Sequence, residues 1–273
     1  MNGQTSVPSA PGVPVADAGP TCAPDPDADL ERRFGGLRRL YGDAGYQRVR
    51  AGRVAVVGLG GVGSWAVEAL ARSGVASLVL IDLDHVAESN INRQVQALGR
   101  TLGQAKARAL AERVADIHPG CRVHEVEEFA APENWPGLLP APVDAVIDAC
   151  DQSQAKLAIA TWARETGTPM VICGAAGGKQ GVTGVELADL SEVTHDPLLA
   201  SLRQRLRKGG APRQGRLGLR CVFSREPVVQ PADAQCAADG SLNCHGYGSS
   251  VTVTAAFGLA AAGEVLRVLQ QLR

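Results

Sequence analysis

The sequence predicts an α/β fold: a doubly wound, Rossmann-like, mostly parallel sheet with an irregular C-terminal extension. Three observations carry that prediction. A glycine-rich turn, Gly58 to Gly63, separates an apolar run from a helical pattern. Two further apolar runs, 143–151 and 168–175, flank a second helical pattern. The chain is also long enough, at 273 residues with 45% hydrophobic content, to bury one large core.

Taken in order, residues 1–29 are rich in Pro, Ala, Gly, Asp and Ser and poor in large apolar side chains, which predicts a disordered tail. Residues 30–273 read as one domain. Over 30–52, Leu37, Leu40 and Tyr41 fall at helical spacing among arginines and predict an amphipathic lead-in. Val54 to Val57 is a buried strand. The helix after the glycine turn carries Val62, Trp65, Ala66, Ala69 and Leu70 on one stripe and ends at Gly74, a C-terminal cap. Leu78 to Ile81 completes a βαβ unit, whose ligand belongs outside the carboxyl ends of the strands. The stretch "GQAKARALAERVADI" is helical, and Ser153 to Thr166 is the helix between the later strands. Beyond Gly174 the pattern turns irregular, so 176–248 is expected to form substrate-facing loops, followed by a small-residue helix from about Ser249 to Leu272. That helix is expected to be packed, at a dimer interface, rather than to span a membrane.

Composition excludes little but is informative. Lys plus Arg (27) balances Asp plus Glu (28), so net charge alone does not mark a nucleic-acid binder. The seven cysteines lack any C-x-x-C and any zinc spacing, which predicts reduced thiols in a cytoplasmic protein. No cationic start leads into an apolar segment, so no secretory signal is expected. The five histidines show no metal or triad spacing.

Gly58, Gly60 and Gly63 satisfy G-x-G-x-x-G between strand and helix, where backbone amides and a helix N-terminus hold phosphate oxygens. Asp82, just after the second strand, stands where an acid that binds a ribose belongs. Three features favour a triphosphate over a dinucleotide. Gly61 removes one more side chain from the turn, and the loop beyond Asp84 carries Asn90 and Arg93. A guanidinium there would meet charge developing on phosphate. Lys106 falls on the buried stripe of its helix with Leu110, Val114 and Ile117, so it points at an anion or snorkels at the edge of the core. Asp151, at a strand end and a helix start, is either an N-cap or a carboxylate for Mg²⁺ bound with substrate phosphates.

With the glycine turn, "DLD", "SNINRQ", "GQAK" and "DACD" in this order, the chain resembles the ubiquitin-activating-enzyme-like superfamily of adenylate-forming enzymes. Within it, "RRFGGLRRLYG" and "RLGLRCVFSREPV" resemble the tRNA threonylcarbamoyladenosine dehydratase family over roughly residues 30–272. The resemblance implies ATP and Mg²⁺ as cofactors and Arg93, Lys106 and Asp151 as catalytic residues. Gly58, Gly60, Gly61, Gly63, Asp82, Asn90, Arg93 and Lys106 would hold the nucleotide, with Asp82 on the ribose and Asn90, Arg93 and Lys106 on the phosphates. It implies cyclisation of N6-threonylcarbamoyladenosine at tRNA position 37 to a hydantoin through an acyl adenylate, a homodimer, and sulfur-transfer proteins as further partners. The two C-x-x-C pairs of the sulfur-carrier-activating branch are missing, which argues against that alternative. A nucleotide module without catalysis need not keep Arg93, Lys106 and Asp151, and nothing resembles the acid or base of an NAD oxidoreductase. Cys236 and Cys244 fall where other branches keep a reactive cysteine, without a motif that marks them.

On the RNA side, Arg203, Arg205, Arg207 and Lys208 open a run of basic residues, continued by Arg213, Arg216, Arg220 and Arg225, with no acid from Ser201 to Arg225. Such a cluster in a charge-balanced chain reads as a footprint for tRNA backbone or as a solvated loop.

Overall fold

The structure, a computed structural model, describes residues 29–229 and 247–272. The expected tail, apart from Asp29, lies outside them, as do Cys22, Cys236, Cys244 and His245. Asp29 caps the first helix, accepting from Arg32 N at 3.0 Å.

One seven-stranded sheet organises the chain. Its strands are β1 (Arg53–Val57), β2 (Ser77–Ile81), β3 (Arg122–Val126), β4 (Ala145–Asp148), β5 (Met170–Cys173), β6 (Val185–Asp189) and β7 (Arg220–Ser224). The spatial order is β3-β2-β1-β4-β5-β7-β6, parallel throughout except for β6, which runs antiparallel to β7 at one edge. Order reverses between β1 and β4, and a crevice opens at such a switch point outside the carboxyl ends of the strands.

Side-chain alternation sorts two apolar layers. Val54 and Val56 of β1 face a layer built on α3 (Gly63–Arg72), α4 (Lys106–Ile117) and α7 (Val251–Leu269), while Ala55 and Val57 face α5 (Ser153–Thr166) and α6 (Pro197–Lys208). The expected stripe of α3 is partly revised. Ala66 and Leu70 are buried with Val67 and Ala71, whereas Trp65 is half-exposed. Gly74 follows the C-cap with φ +74°, the left-handed conformation a C-terminal glycine supplies.

The stretch beyond Gly174 is more regular than expected, since it supplies β6, α6 and β7. Arginines at the ends of β7 masked its apolar centre, Cys221 to Phe223. The lead-in is also revised: it forms α1 (Leu30–Phe34) and α2 (Gly36–Ala51), and Gly42 at φ 69° breaks α2. Periodicity therefore does not carry through. Leu40 is 72% exposed, and Phe34, Tyr46 and Val49 are the buried anchors.

By length and composition α7 could cross a membrane, but it packs within this chain. Val253, Phe257, Ala261, Val265 and Leu269 are buried, and a Cβ on Gly258 would collide with Val62 O and lie 2.9 Å from Ala66 N. The small residues thus bring α7 close to α3, as expected of a packed helix. Glu264 is buried in this helix, paired with Arg220 and Arg267 at 2.8 and 2.7 Å.

His118, after α4, joins the lead-in to the core. It packs on Phe34 at 4.8 Å, and burial with the Arg50 charge pushes its pKa from 6.5 down to about 4. Because the folded pKa lies below the unfolded one, the unfolded chain takes up the proton first. Stability is complete above pH 6.5 and falls as pH drops toward 4. Between pH 7 and 4.5 denaturant titration should show His118→Gln losing about 2 kcal/mol less stability than wild type. Identical pH dependence of the two would contradict this origin.

Candidate active site

The crevice is a cleft of about 420 Å³ at the carboxyl ends of β1, β2, β4 and β5. Gly58, Gly60, Gly61, Asp82, Arg93, Lys106 and Asp151 all line it. Asn90, Gly63, Arg203, Arg205, Arg207 and Lys208 do not.

The glycine turn forms one wall. Gly58 has φ +84°, and a Cβ there would stand 2.7 Å from Cys150 N, so the turn closes directly on the loop after β4. A Cβ on Gly63 would collide with Gly58 O, which places this glycine behind the turn as the point where α3 begins. Gly61 gives room to Arg93, whose Cγ would lie 3.2 Å from an added Cβ. The absence of a side chain here therefore seats the arginine as well as opening the cleft.

Asp82 is nearly buried and ties β2 to the turn. Its Oδ2 accepts from Leu59 N at 2.6 Å and its Oδ1 from Asp84 N at 2.9 Å. Burial raises its pKa, against the lowering effect of Lys106 and of those two amides. One carboxylate thus both shapes the turn and shows an edge to the cleft.

Arg93 comes from the loop after β2. Trp65 Nε1 donates to its carbonyl at 3.0 Å, and its own Nη1 donates to Ser89 O at 2.8 Å and Asn92 Oδ1 at 2.9 Å. Burial lowers its pKa, yet a guanidinium stays charged in a protein. No carboxylate neutralises it among the described residues, so its charge is available to an anion. Asn90 braces this loop: its Oδ1 accepts from Ala87 N at 3.1 Å, and it is not among the residues that line the cleft.

Lys106 opens α4, with its backbone N donating to Asp84 O at 2.9 Å. Its Nζ lies 2.6 Å from Asp84 Oδ2, and the lysine is 6% exposed while Asp84 is 51% exposed. The lysine's anion in the free protein is therefore Asp84, a residue that sequence reasoning passed over although "DLD" contains it.

Asp151 is not the N-cap of α5. That position is Gln152, without a side-chain bond, and the Asp151 carboxylate makes no hydrogen bond or ion pair among the described residues. A free carboxylate at the mouth of an anion-binding cleft fits one protein ligand of Mg²⁺, which takes one or two carboxylates, waters and substrate phosphate oxygens. No group of three or more His, Cys, Asp or Glu able to hold a metal occurs among the described residues.

Behind this loop lies a pair that sequence reasoning missed. Asp148 and Lys156 are both 0% exposed, with Lys156 Nζ 2.9 Å from Asp148 Oδ2 as an ion pair out of hydrogen-bond alignment. Lys156 Nζ also donates to Cys173 O at 3.2 Å. Burial alone would lower the lysine's pKa, but Asp148 outweighs it and the ammonium stays protonated. The other oxygen, Asp148 Oδ1, accepts from Cys150 N at 3.1 Å and Cys150 Sγ at 3.0 Å. Burial and Asp148 push the Cys150 thiol well above its ordinary range, so this cysteine in the cleft wall is a weak nucleophile. Cys121, Cys173 and Cys221 are free as well, and the other three cysteines lie outside the described residues.

The basic segment spans α6 and the chain from there to the end of β7, and two of its four leading residues are engaged internally. Arg203 Nη1 donates to Leu190 O at 3.0 Å and Val193 O at 2.7 Å, and Arg205 Nη1 to Ser153 O at 3.0 Å. Arg216, Arg220 and Arg225 pair with Glu192, Glu264 and Glu186. Most of the run therefore staples the fold; an acid-free stretch of sequence concealed acids supplied from other elements.

Comparison with known proteins places this geometry. The model of the ThiF family matches residues 33–273. The chain is 41% identical over 248 residues to tRNA threonylcarbamoyladenosine dehydratase of Escherichia coli, covering 86% of this chain and 92% of that protein. It is 39% identical over 243 residues to the protein of the same name from Haemophilus influenzae, covering 87% and 93%. A crystal structure of the Escherichia coli dehydratase in complex with ATP matches with a TM-score of 0.80 at 39% identity, over 89% of this chain and 96% of that one; another holds AMP. The chain therefore belongs to the ThiF family and, within it, to the tRNA threonylcarbamoyladenosine dehydratases.

Proposed function

We propose that this protein uses ATP to cyclise N6-threonylcarbamoyladenosine at position 37 of tRNA. The observation that carries the reading is the convergence on one cleft of a glycine turn, an unneutralised Arg93, Lys106 and an unpartnered Asp151. Relatives bearing the dehydratase name, and a structural neighbour that holds ATP, give that cleft its substrates.

In this reading the amides of Gly58 to Gly61 and the start of α3 cradle phosphate, and Asp82 faces the ribose. Arg93 and Lys106 neutralise charge on the α-phosphate as the threonyl carboxylate attacks it and the bond to the departing pyrophosphate breaks. Asp151 is the protein ligand for Mg²⁺, which supplies charge neutralisation to the phosphates. A ureido nitrogen then attacks the acyl carbon, loses its proton and expels AMP; the nucleoside has lost one water. Nucleophile and electrophile share one substituent, so proximity supplies much of the rate and no enzyme thiol is needed. That agrees with the protonated, hydrogen-bonded Cys150.

Lys106 lines the cleft while paired with Asp84, and its ammonium has three donors to share between that carboxylate and a phosphate. Removing one charge-assisted contact costs about 1.5–3 kcal/mol, so Lys106→Ala should bind ATP about 10- to 100-fold more weakly by calorimetric titration. Unchanged affinity would leave the lysine as the partner of Asp84 alone.

The reading includes a cytoplasmic homodimer, for which Leu259 and Val251 on the outer face of α7 offer apolar surface, and sulfur-transfer proteins as partners. Its test is AMP release with and without tRNA carrying the modification. Release that depends on this tRNA supports the cyclase. Release or pyrophosphate exchange that needs a protein ending in Gly-Gly would replace it with sulfur-carrier adenylation.

A further inference from the structure

The outer face of α6 leads away from the cleft. Pro197, in the helix's first turn, lines the cleft, and Asp196 caps the helix by accepting from Leu199 N at 3.0 Å. Leu199, Leu202 and Leu206 form the buried stripe. At about 3.6 residues per turn, Pro197, Ala200, Gln204, Arg207 and Lys208 share the opposite face. At its far end Arg203, Gln204, Arg207, Lys208 and Arg213 line a second groove of about 450 Å³.

This groove keeps the free part of the basic run. Arg203 is engaged by its two carbonyls, but Arg207, Lys208 and Arg213 have no acidic partner among the described residues, and Arg207 Nε is buried without an acceptor. Pairing elsewhere leaves these three cations concentrated in one concavity, which suits phosphate oxygens.

Distance then defines a register. From Pro197 to Lys208 the helix rises about 16 Å. A stacked nucleic-acid strand advances about 3.4 Å per nucleotide, so the groove lies roughly five nucleotides from a base held at the cleft. We infer that α6 acts as a ruler on the RNA: the modified base enters the cleft beside Pro197, and Arg207, Lys208 and Arg213 bind backbone phosphates in the stem that carries its loop. The inference rests on the proposed RNA substrate and adds which part of it is held, and where.

The test measures binding of modified tRNA over a range of salt concentrations, without ATP, so that it reads the groove apart from turnover. The triple variant Arg207→Ala/Lys208→Ala/Arg213→Ala should bind at least about tenfold more weakly at physiological salt, with a log–log slope shallower by about 2 to 3. Lys208→Ala alone, at an exposed position, should lower the slope by about 1. Arg207→Lys/Arg213→Lys should keep the wild-type slope, and ATP affinity of the triple variant should equal that of wild type. A stem-less loop oligonucleotide should bind wild type and triple variant alike. Wild-type tRNA affinity and slope in both alanine variants would overturn the groove, and a difference on the stem-less loop would overturn the spacing. Wild type that binds modified tRNA with the expected slope yet leaves the nucleoside unaltered would sink the proposed reaction and leave the groove standing.

Discussion

Arg93→Ala is expected to reduce turnover by about 10³- to 10⁵-fold, the range seen when an arginine that stabilises transferring phosphate is removed. The expectation rests on where the guanidinium stands. Gly61 makes room for its side chain, Trp65 holds its backbone, and Ser89 and Asn92 fix one nitrogen while no carboxylate among the described residues takes the charge. It is thus oriented before any substrate arrives, the condition under which an electrostatic group contributes most to a transition state. Single-turnover AMP formation at saturating ATP and tRNA measures the effect on chemistry directly. Arg93→Lys keeps a charge but loses the planar fork, so it should recover only part of the rate. Turnover within a few-fold of wild type in Arg93→Ala would remove this residue from the mechanism.

The second large effect is on stability. Asp148→Ala would leave the Lys156 ammonium buried with only Cys173 O as partner, and breaking a buried pair from one side costs about 3–5 kcal/mol. For a domain of this size that lowers Tm by on the order of 10 °C. Lys156→Met should cost a similar amount, and the double variant Asp148→Ala/Lys156→Met less than the sum, because neither charge is then left alone. Additive losses in thermal unfolding would mean that the two do not act as a pair. The consequence for function is local: Asp148 also holds Cys150 N and Sγ, and the loop it anchors both abuts Gly58 and presents Asp151 to the cleft.

The same pair shows what the sequence makes legible and what it hides. The βαβ unit, the strands around 145 and 170 and the helix between them are apparent because each is a simple apolar run or stripe bounded by glycine or a polar turn. Arg93, Lys106 and Asp151 could be proposed because their positions relative to that unit are fixed by local geometry. Lys156 sits in the buried stripe of α5 just as Lys106 sits in that of α4, so helical spacing marks both lysines equally. Its partner Asp148 is the last residue of β4, and no periodic pattern links a strand end to the helix that follows.

Other elements depended on contacts that no local pattern carries. β3, "RVHEV", is a charged outer strand with little apolar signal; β6, "VELAD", is short and carries two acids, and β7 is short and bordered by Arg220 and Arg225. Gly42 breaks the lead-in, so Leu40 points away from the core. Asn90 has the residue type and position of a phosphate ligand, and only the fold shows that its Oδ1 accepts from Ala87 N. Arg203 and Arg205 read from the sequence as free cations, whereas the tertiary fold supplies carbonyls that hold one nitrogen of each. Charge runs are thus the weakest guide here, because ion pairing is set by residues far away in the chain.

The most direct measurement is mass spectrometry of nucleosides from tRNA bearing threonylcarbamoyladenosine, after incubation with the protein and Mg-ATP and digestion at mild pH. Loss of one water from that nucleoside, dependent on ATP, is the predicted result; a nucleoside of unchanged mass alongside intact ATP binding would contradict the account.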